Sequence, residues 1–146
     1  MEKARAYVEQ RLKATGVEQI GGSWTQEFEF APRRTTTKLK GVNFVGSIRG
    51  KQNPERYIVV TAHYDHDGIK NGEIYNGADD NASGVAGLFA VASHFSKHPL
   101  KNTLIIAALD AEEAVIRRAG ASGPTASAGS ATARARWWFT PTRSRR

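Results

Sequence analysis

The sequence predicts an α/β fold, a mixed central sheet flanked by helices. Three observations carry it. Two strands with period-two alternation lie near the N-terminus. Two almost unbroken apolar runs follow, at residues 57–62 and 103–109. An amphipathic helix lies between those runs. Alternation marks a half-buried antiparallel strand, whereas a continuous apolar run marks a strand covered on both faces and central in its sheet.

Residues 2–15 predict a helix, because Ala4, Val8 and Leu12 repeat at i+4 and Gly16 terminates the pattern. Trp24, Gln26, Phe28 and Phe30 share one strand face, and Thr25, Glu27 and Glu29 the other. Pro32 and the polar run to Thr37 make a turn. Residues 38–49 return as a strand with Val42, Phe44 and Ile48 on one face. A Gly-, Asp- and Asn-rich loop spans 63–81. The helix at about 82–96 presents Val85, Leu88, Phe89, Ala92 and Phe95, and His98-Pro99 ends it. Strand, helix, strand is a crossover, right-handed if its strands are parallel neighbours. In such sheets the ligand site lies beyond the carboxyl ends of the strands, where His63 and the segment from Asp110 to Glu113 both fall.

The chain of 146 residues is long enough for one domain with a real core. Its net charge of +7 would ordinarily raise a nucleic-acid or membrane reading. Residues 1–114 hold 14 Lys+Arg and 14 Asp+Glu, so the excess comes entirely from seven Arg in residues 115–146. No specific nucleic-acid partner follows from such a tail. No apolar run is long enough to span a bilayer, and the charged N-terminus lacks the apolar segment of a signal peptide. The absence of cysteine excludes disulfides and thiolate ligands without naming a compartment.

Three motifs carry the chemistry: His63-Tyr64-Asp65, then Asn76-Gly77-Ala78-Asp79-Asp80-Asn81-Ala82-Ser83-Gly84, then Asp110-Ala111-Glu112-Glu113. A metal such as zinc binds imidazole nitrogen and carboxylate oxygen. His63 supplies the first. Asp65, two residues on, could hydrogen-bond the imidazole and set its tautomer. A carboxylate at Asp79 or Asp80 could bridge two cations. Of the adjacent Glu112 and Glu113, one can ligate while the other accepts a proton from water. Each motif alone has a plainer reading, as a surface histidine, a helix N-cap or an acidic first helical turn. Their joint placement at strand ends favours metal-assisted hydrolysis. His94 and His98 read as helix-surface residues, and His66 stays open.

At these residues the chain resembles the aminopeptidase Y family of zinc metallopeptidases, which includes bacterial leucyl aminopeptidases and glutamate carboxypeptidase-type enzymes. The resemblance spans about residues 40–114 and is most specific in the Asn76 to Gly84 segment. It implies a zinc aminopeptidase-like sheet and two zinc ions acting on peptide substrates. It casts His63 as a ligand of one zinc, Asp80 as the bridging carboxylate and Glu113 as a ligand of the other zinc. It casts Glu112 as the general base and Asp65 as the orienting partner of His63.

The family continues with a further Asp and His ligand, and residues 115–146 hold neither type. Residues 1–114 are therefore expected to be the N-terminal part of a metallopeptidase domain, incomplete at its C-terminal half. Residues 115–146 are expected to be a basic, disordered, non-family tail, explained by a reading-frame shift near codon 114. The strand at 103–109 is expected to lose a neighbour and expose an edge, leaving the chain poorly soluble and inactive or nearly so. Rival readings are a carboxypeptidase or acyl-amino-acid hydrolase, a non-catalytic binding relative, and nucleic-acid binding through the Arg tail. Substrate side chain, oligomeric state and localisation stay unknown, although family members are often exported.

Overall fold

The computed structural model describes residues 1–31 and 36–116. The 115–146 tail from residue 117 onward, and most of the turn expected after Pro32, lie outside the described residues.

Helix α1 (Glu2–Ala14) is followed by β1 (Glu18–Gln19), β2 (Thr25–Phe30), β3 (Leu39–Ile48) and β4 (Asn53–His63). A small hairpin of β5 (Gly68–Lys70) and β6 (Glu73–Tyr75) comes next. An irregular turn at Ala78–Ala82 leads into α2 (Ser83–Lys97), β7 (Asn102–Leu109) and the short α3 (Glu112–Ile116). The main sheet is mixed. β3 pairs antiparallel with β1, β2 and β7, while β7 pairs parallel with β4, so the crossover strands are parallel neighbours as expected.

The core follows the strand period. Phe44 and Ile48 of β3, Ala62 of β4 and Leu104, Ile106 and Ala108 of β7 share one cluster with Val8 and Leu12 of α1 and Val85, Leu88 and Ala92 of α2. Every second strand residue points to the same face, and the i, i+3, i+4 stripe of each helix covers it. Burying a side chain such as Leu104 stabilises the fold by roughly 1.5–3 kcal/mol. His94 and His98 lie exposed on and just after α2, as read from sequence.

Two expectations are corrected. β7 does not carry the open edge, because β3 and β4 flank it on both sides. β4 does not sit centrally: among the described residues it is the terminal strand, and Tyr57, Ile58 and Val59 are exposed. Apolarity registers a need for cover and is silent about which neighbour provides it. The loop at 63–81 also holds the unforeseen β5–β6 hairpin. Asn71 (φ 52°) and Gly72 (φ 82°) turn it, the Asn-Gly pair that a two-residue hairpin favours. Among the described residues, no helix is long and apolar enough to cross a membrane.

Candidate metal centre

β4 and β7 run parallel in a register that pairs His63 with Leu109, so both chains leave the sheet on the same side. The amide of Tyr64 donates to the Leu109 carbonyl at 2.9 Å, extending the ladder one step beyond the strands. Residues separated by about fifty positions thereby meet.

Asp110 anchors the β7 exit. Its carboxylate is buried and accepts from Arg5 (2.8 Å), the Val42 amide (3.0 Å), the Tyr64 hydroxyl (3.1 Å) and the Ala111 amide (2.9 Å). The Asp110 amide in turn donates to Asn43 Oδ1 at 3.0 Å. Burial and the facing Asp110 carboxylate push the Tyr64 phenol well above its ordinary range, so Tyr64 stays a neutral donor. The same carboxylate raises the Arg5 guanidinium. Ala111 takes a left-handed turn (φ 67°), a conformation costly for a residue with a Cβ and maintained here by the bonds around it.

Asp65 anchors the β4 exit, with an unexpected division of labour. Its carboxylate accepts from the Glu112 amide at 3.1 Å and the Glu113 amide at 3.0 Å, satisfying the first donors of α3. His63 Nδ1 lies 3.3 Å from the Asp65 main-chain oxygen and 3.6 Å from its carboxylate. The aspartate expected to orient the imidazole therefore makes its short contacts to the glutamate pair. The plain reading of Glu112-Glu113 as an acidic first turn holds, because α3 begins at Glu112.

The third motif partner arrives through the turn before α2. Gly77 opens it with φ 61°, and Asp80 and Asn81 depart from helical geometry inside it. A Cβ on Gly84 would lie 2.1 Å from Asn81 Oδ1, so the glycine makes room for the asparagine side chain. No side chain caps α2, which sets aside the plain N-cap reading of Asp79 and Asp80. Asp80 Oδ1 sits 3.0 Å from His63 Nε2, and Glu112 Oε2 lies 3.9 Å from the same nitrogen. Glu113 turns the other way, with Oε1 at 3.2 Å from His66 Nδ1. Burial, then the nearby Asp80 and Glu112 carboxylates, push the Glu113 carboxyl upward. His63, Asp65, Asp80, Glu112 and Glu113 are thus brought together, and His66 joins them. Asp110, Arg5 and Tyr64 were missed as supports, since nothing in local spacing links Arg5 to residue 110.

Imidazole nitrogen and carboxylate oxygen are zinc donors, and bonds of about 2.0–2.1 Å set tetrahedral ligand edges near ~3.3 Å. The 3.0 Å separation of His63 Nε2 and Asp80 Oδ1 fits such an edge. Among the described residues the donors come in pairs, with no group of three or more arranged to hold an ion. A cleft of about 630 Å³ opens on the His66–Glu113 side, bordered also by Asp110, Arg5, Phe30 and Leu39.

The chain is 37% identical over 81 residues to a probable zinc metalloprotease of Leptosphaeria maculans, covering 53% of this chain and 19% of that protein. A probable zinc metalloprotease of Pyrenophora tritici-repentis is 35% identical over 74 residues, covering 49% of this chain and 15% of that protein. The chain thus spans less than a fifth of the length of these curated relatives in the matched region. Among solved structures, a Zn-dependent exopeptidase of Parabacteroides distasonis superposes with TM-score 0.59 at 21% identity, covering 84% of this chain and 43% of that one. A Tannerella forsythia glutaminyl cyclase superposes with TM-score 0.62 at 22% identity, covering 84% and 43%. At such identities the likeness concerns the fold, a mixed α/β sheet of the zinc exopeptidase kind. The family model described as Peptidase family M28 matches residues 43–141, which contain all three motifs, and the chain belongs to that family of zinc peptidases.

Proposed function

We propose that this chain carries the zinc site of an aminopeptidase-type metallopeptidase, acting on peptides with a free N-terminus. One observation carries the reading. Asp65 grips the amides of two adjacent glutamates so that their side chains diverge, Glu112 toward His63 and Glu113 toward His66. A ligand and a base are needed in one site on opposite bearings, and neighbouring residues at a helix start provide both.

His63 Nε2 and Asp80 Oδ1 would hold zinc on one side, and Glu113 Oε1 would contribute on the other. Zinc, when bound, supplies Lewis acidity toward a carbonyl and toward water. Glu112, partly exposed beside His63, accepts the proton at Oε2 and returns it to the leaving amine. Asp65 keeps Glu112 in place through the main chain. The cleft on the Glu113 side offers room for the peptide. Because the donors stand in pairs, this chain alone is expected to turn over slowly.

The fold alone also accommodates glutaminyl cyclases. The sequence match to probable zinc metalloproteases favours hydrolysis. The test is zinc-dependent release from a leucyl anilide, set beside a glutaminyl peptide and an N-acetylated peptide. Slow leucine release is expected, reduced ~10²–10⁴-fold in Glu112→Gln with zinc still bound. Cyclisation of the glutaminyl peptide without anilide hydrolysis would overturn the peptidase reading. Preference for the acetylated peptide would overturn the aminopeptidase part alone.

A further inference from the structure

His66 was left open by the sequence and has no part in the roles above. Its ring is largely enclosed, and Nδ1 is buried 3.2 Å from Glu113 Oε1. Despite that approach, Nδ1 makes no hydrogen bond of acceptable geometry. The ring nitrogen thus stands beside the carboxylate without using it as a hydrogen-bond partner. A hydrogen bond needs the donor aimed at the acceptor. Two ligands of one ion need their lone pairs to converge instead.

The seat of the ring is built into the chain. A Cβ on Gly77 would lie 2.7 Å from His66 Cδ2 and Cγ, so the imidazole occupies space that only a glycine leaves open. Gly77 also opens the turn that presents Asp80. One residue therefore fixes both the Asp80 carboxylate and the His66 ring.

We propose that His66 is a metal-ligating residue of this chain, its Nδ1 forming with Glu113 Oε1 a second nitrogen–oxygen pair beside that of His63 and Asp80. Both pairs have the spacing of a ligand edge, 3.0 Å and 3.2 Å against the ~3.3 Å expected for zinc. Ligation through Nδ1 places the ring proton on Nε2. The inference rests on the zinc reading of the site and adds a donor to it.

The test is zinc affinity and cobalt absorption of the full chain in wild type, His66→Ala, His66→Gln and His63→Ala. Wild-type zinc binding is expected to weaken at least about tenfold in both His66 variants, with an altered cobalt d–d spectrum. Far-UV circular dichroism identifies any variant that fails to fold. Independently of any substitution, the ¹⁵N resonance of His66 Nδ1 in the wild type is expected to shift on zinc addition as a ligated nitrogen does. Unchanged affinity in the His66 variants, or a His66 Nδ1 resonance that reports only protonation, overturns the proposal. If His63→Ala still loses zinc, the zinc reading survives that failure. A wild-type chain that binds no zinc overturns both.

Discussion

β4 and β7 look alike as sequences and differ as structures. Tyr57-Ile58-Val59-Val60 and Leu104-Ile105-Ile106-Ala107 are equally apolar. In β7, Leu104 is 1% and Ile106 0% exposed, while in β4 Tyr57 is 53% and Val59 52% exposed. The strands are parallel neighbours, so the difference lies in what flanks them: β7 has β3 beyond it, and β4 has no described strand on its outer side. Apolar composition states what a strand needs, and position in the sheet states what it receives. Both strands nevertheless end in hydrogen-bonded exits, through Asp65 after β4 and Asp110 after β7, which do not depend on the outer edge.

Truncation should expose this contrast most strongly. Leu104→Ala is expected to cost ~3–5 kcal/mol in a denaturant melt, from lost transfer energy plus a cavity. Ile58→Ala on β4 should cost about 1 kcal/mol or less. Equal losses would mean that the β4 face is covered in solution. Next in size is the anchor beyond β7. Asp110→Ala removes the shared acceptor of Arg5, Tyr64 and two amides, and should lower stability by about 2–3 kcal/mol, with Asp110→Asn milder. Thermal melts of the two variants side by side decide whether the carboxylate or only its acceptor oxygens matter.

Charge on the two strands should act in opposite directions. Val59→Lys is expected to leave stability within about 0.5 kcal/mol and to raise the monomer fraction in size-exclusion chromatography, since an apolar strand edge invites pairing. Ile105→Lys in β7 should unfold the chain. Lower solubility of Val59→Lys would refute β4 as the aggregating edge. The smallest effect concerns alkali. The Tyr64 phenol is raised in the fold above its ordinary value of about 10. Its stabilising contribution is therefore full below that value and lost as pH rises through it toward the folded-state value. Tyr64→Phe should flatten the fall of stability in a pH series of melts; an unchanged slope would assign that fall to other groups.

Much of the fold was legible. The helix at 2–15, the alternating strands, the apolar run at 103–109 and the α2 stripe appear within a residue or two of their expected bounds, whereas β4 starts at Asn53, well before the apolar run at 57–62. The β5–β6 hairpin carried its own signal in Asn71-Gly72, but strands of three residues are too short to show a period. The candidate site was legible as residues and not as bonds. Asp80 and Glu112 approach His63 while Glu113 turns toward His66, and Asp65 places its carboxylate on the Glu112 and Glu113 amides. His66 had no strand-end logic of its own, and only its contact with Glu113 and its seat on Gly77 bring it into the site.

By itself, the sequence determined most element types, the buried stripes of the two long helices and the donor chemistry. These are local properties, set by side-chain period, by turn residues and by the atoms that imidazole and carboxylate offer. The tertiary structure alone decided that β4 and not β7 lies at the edge, that Arg5 closes on Asp110, and that neighbouring glutamates face different histidines. Each of these depends on pairing between distant segments, and a residue pattern cannot state its partner across fifty or a hundred positions.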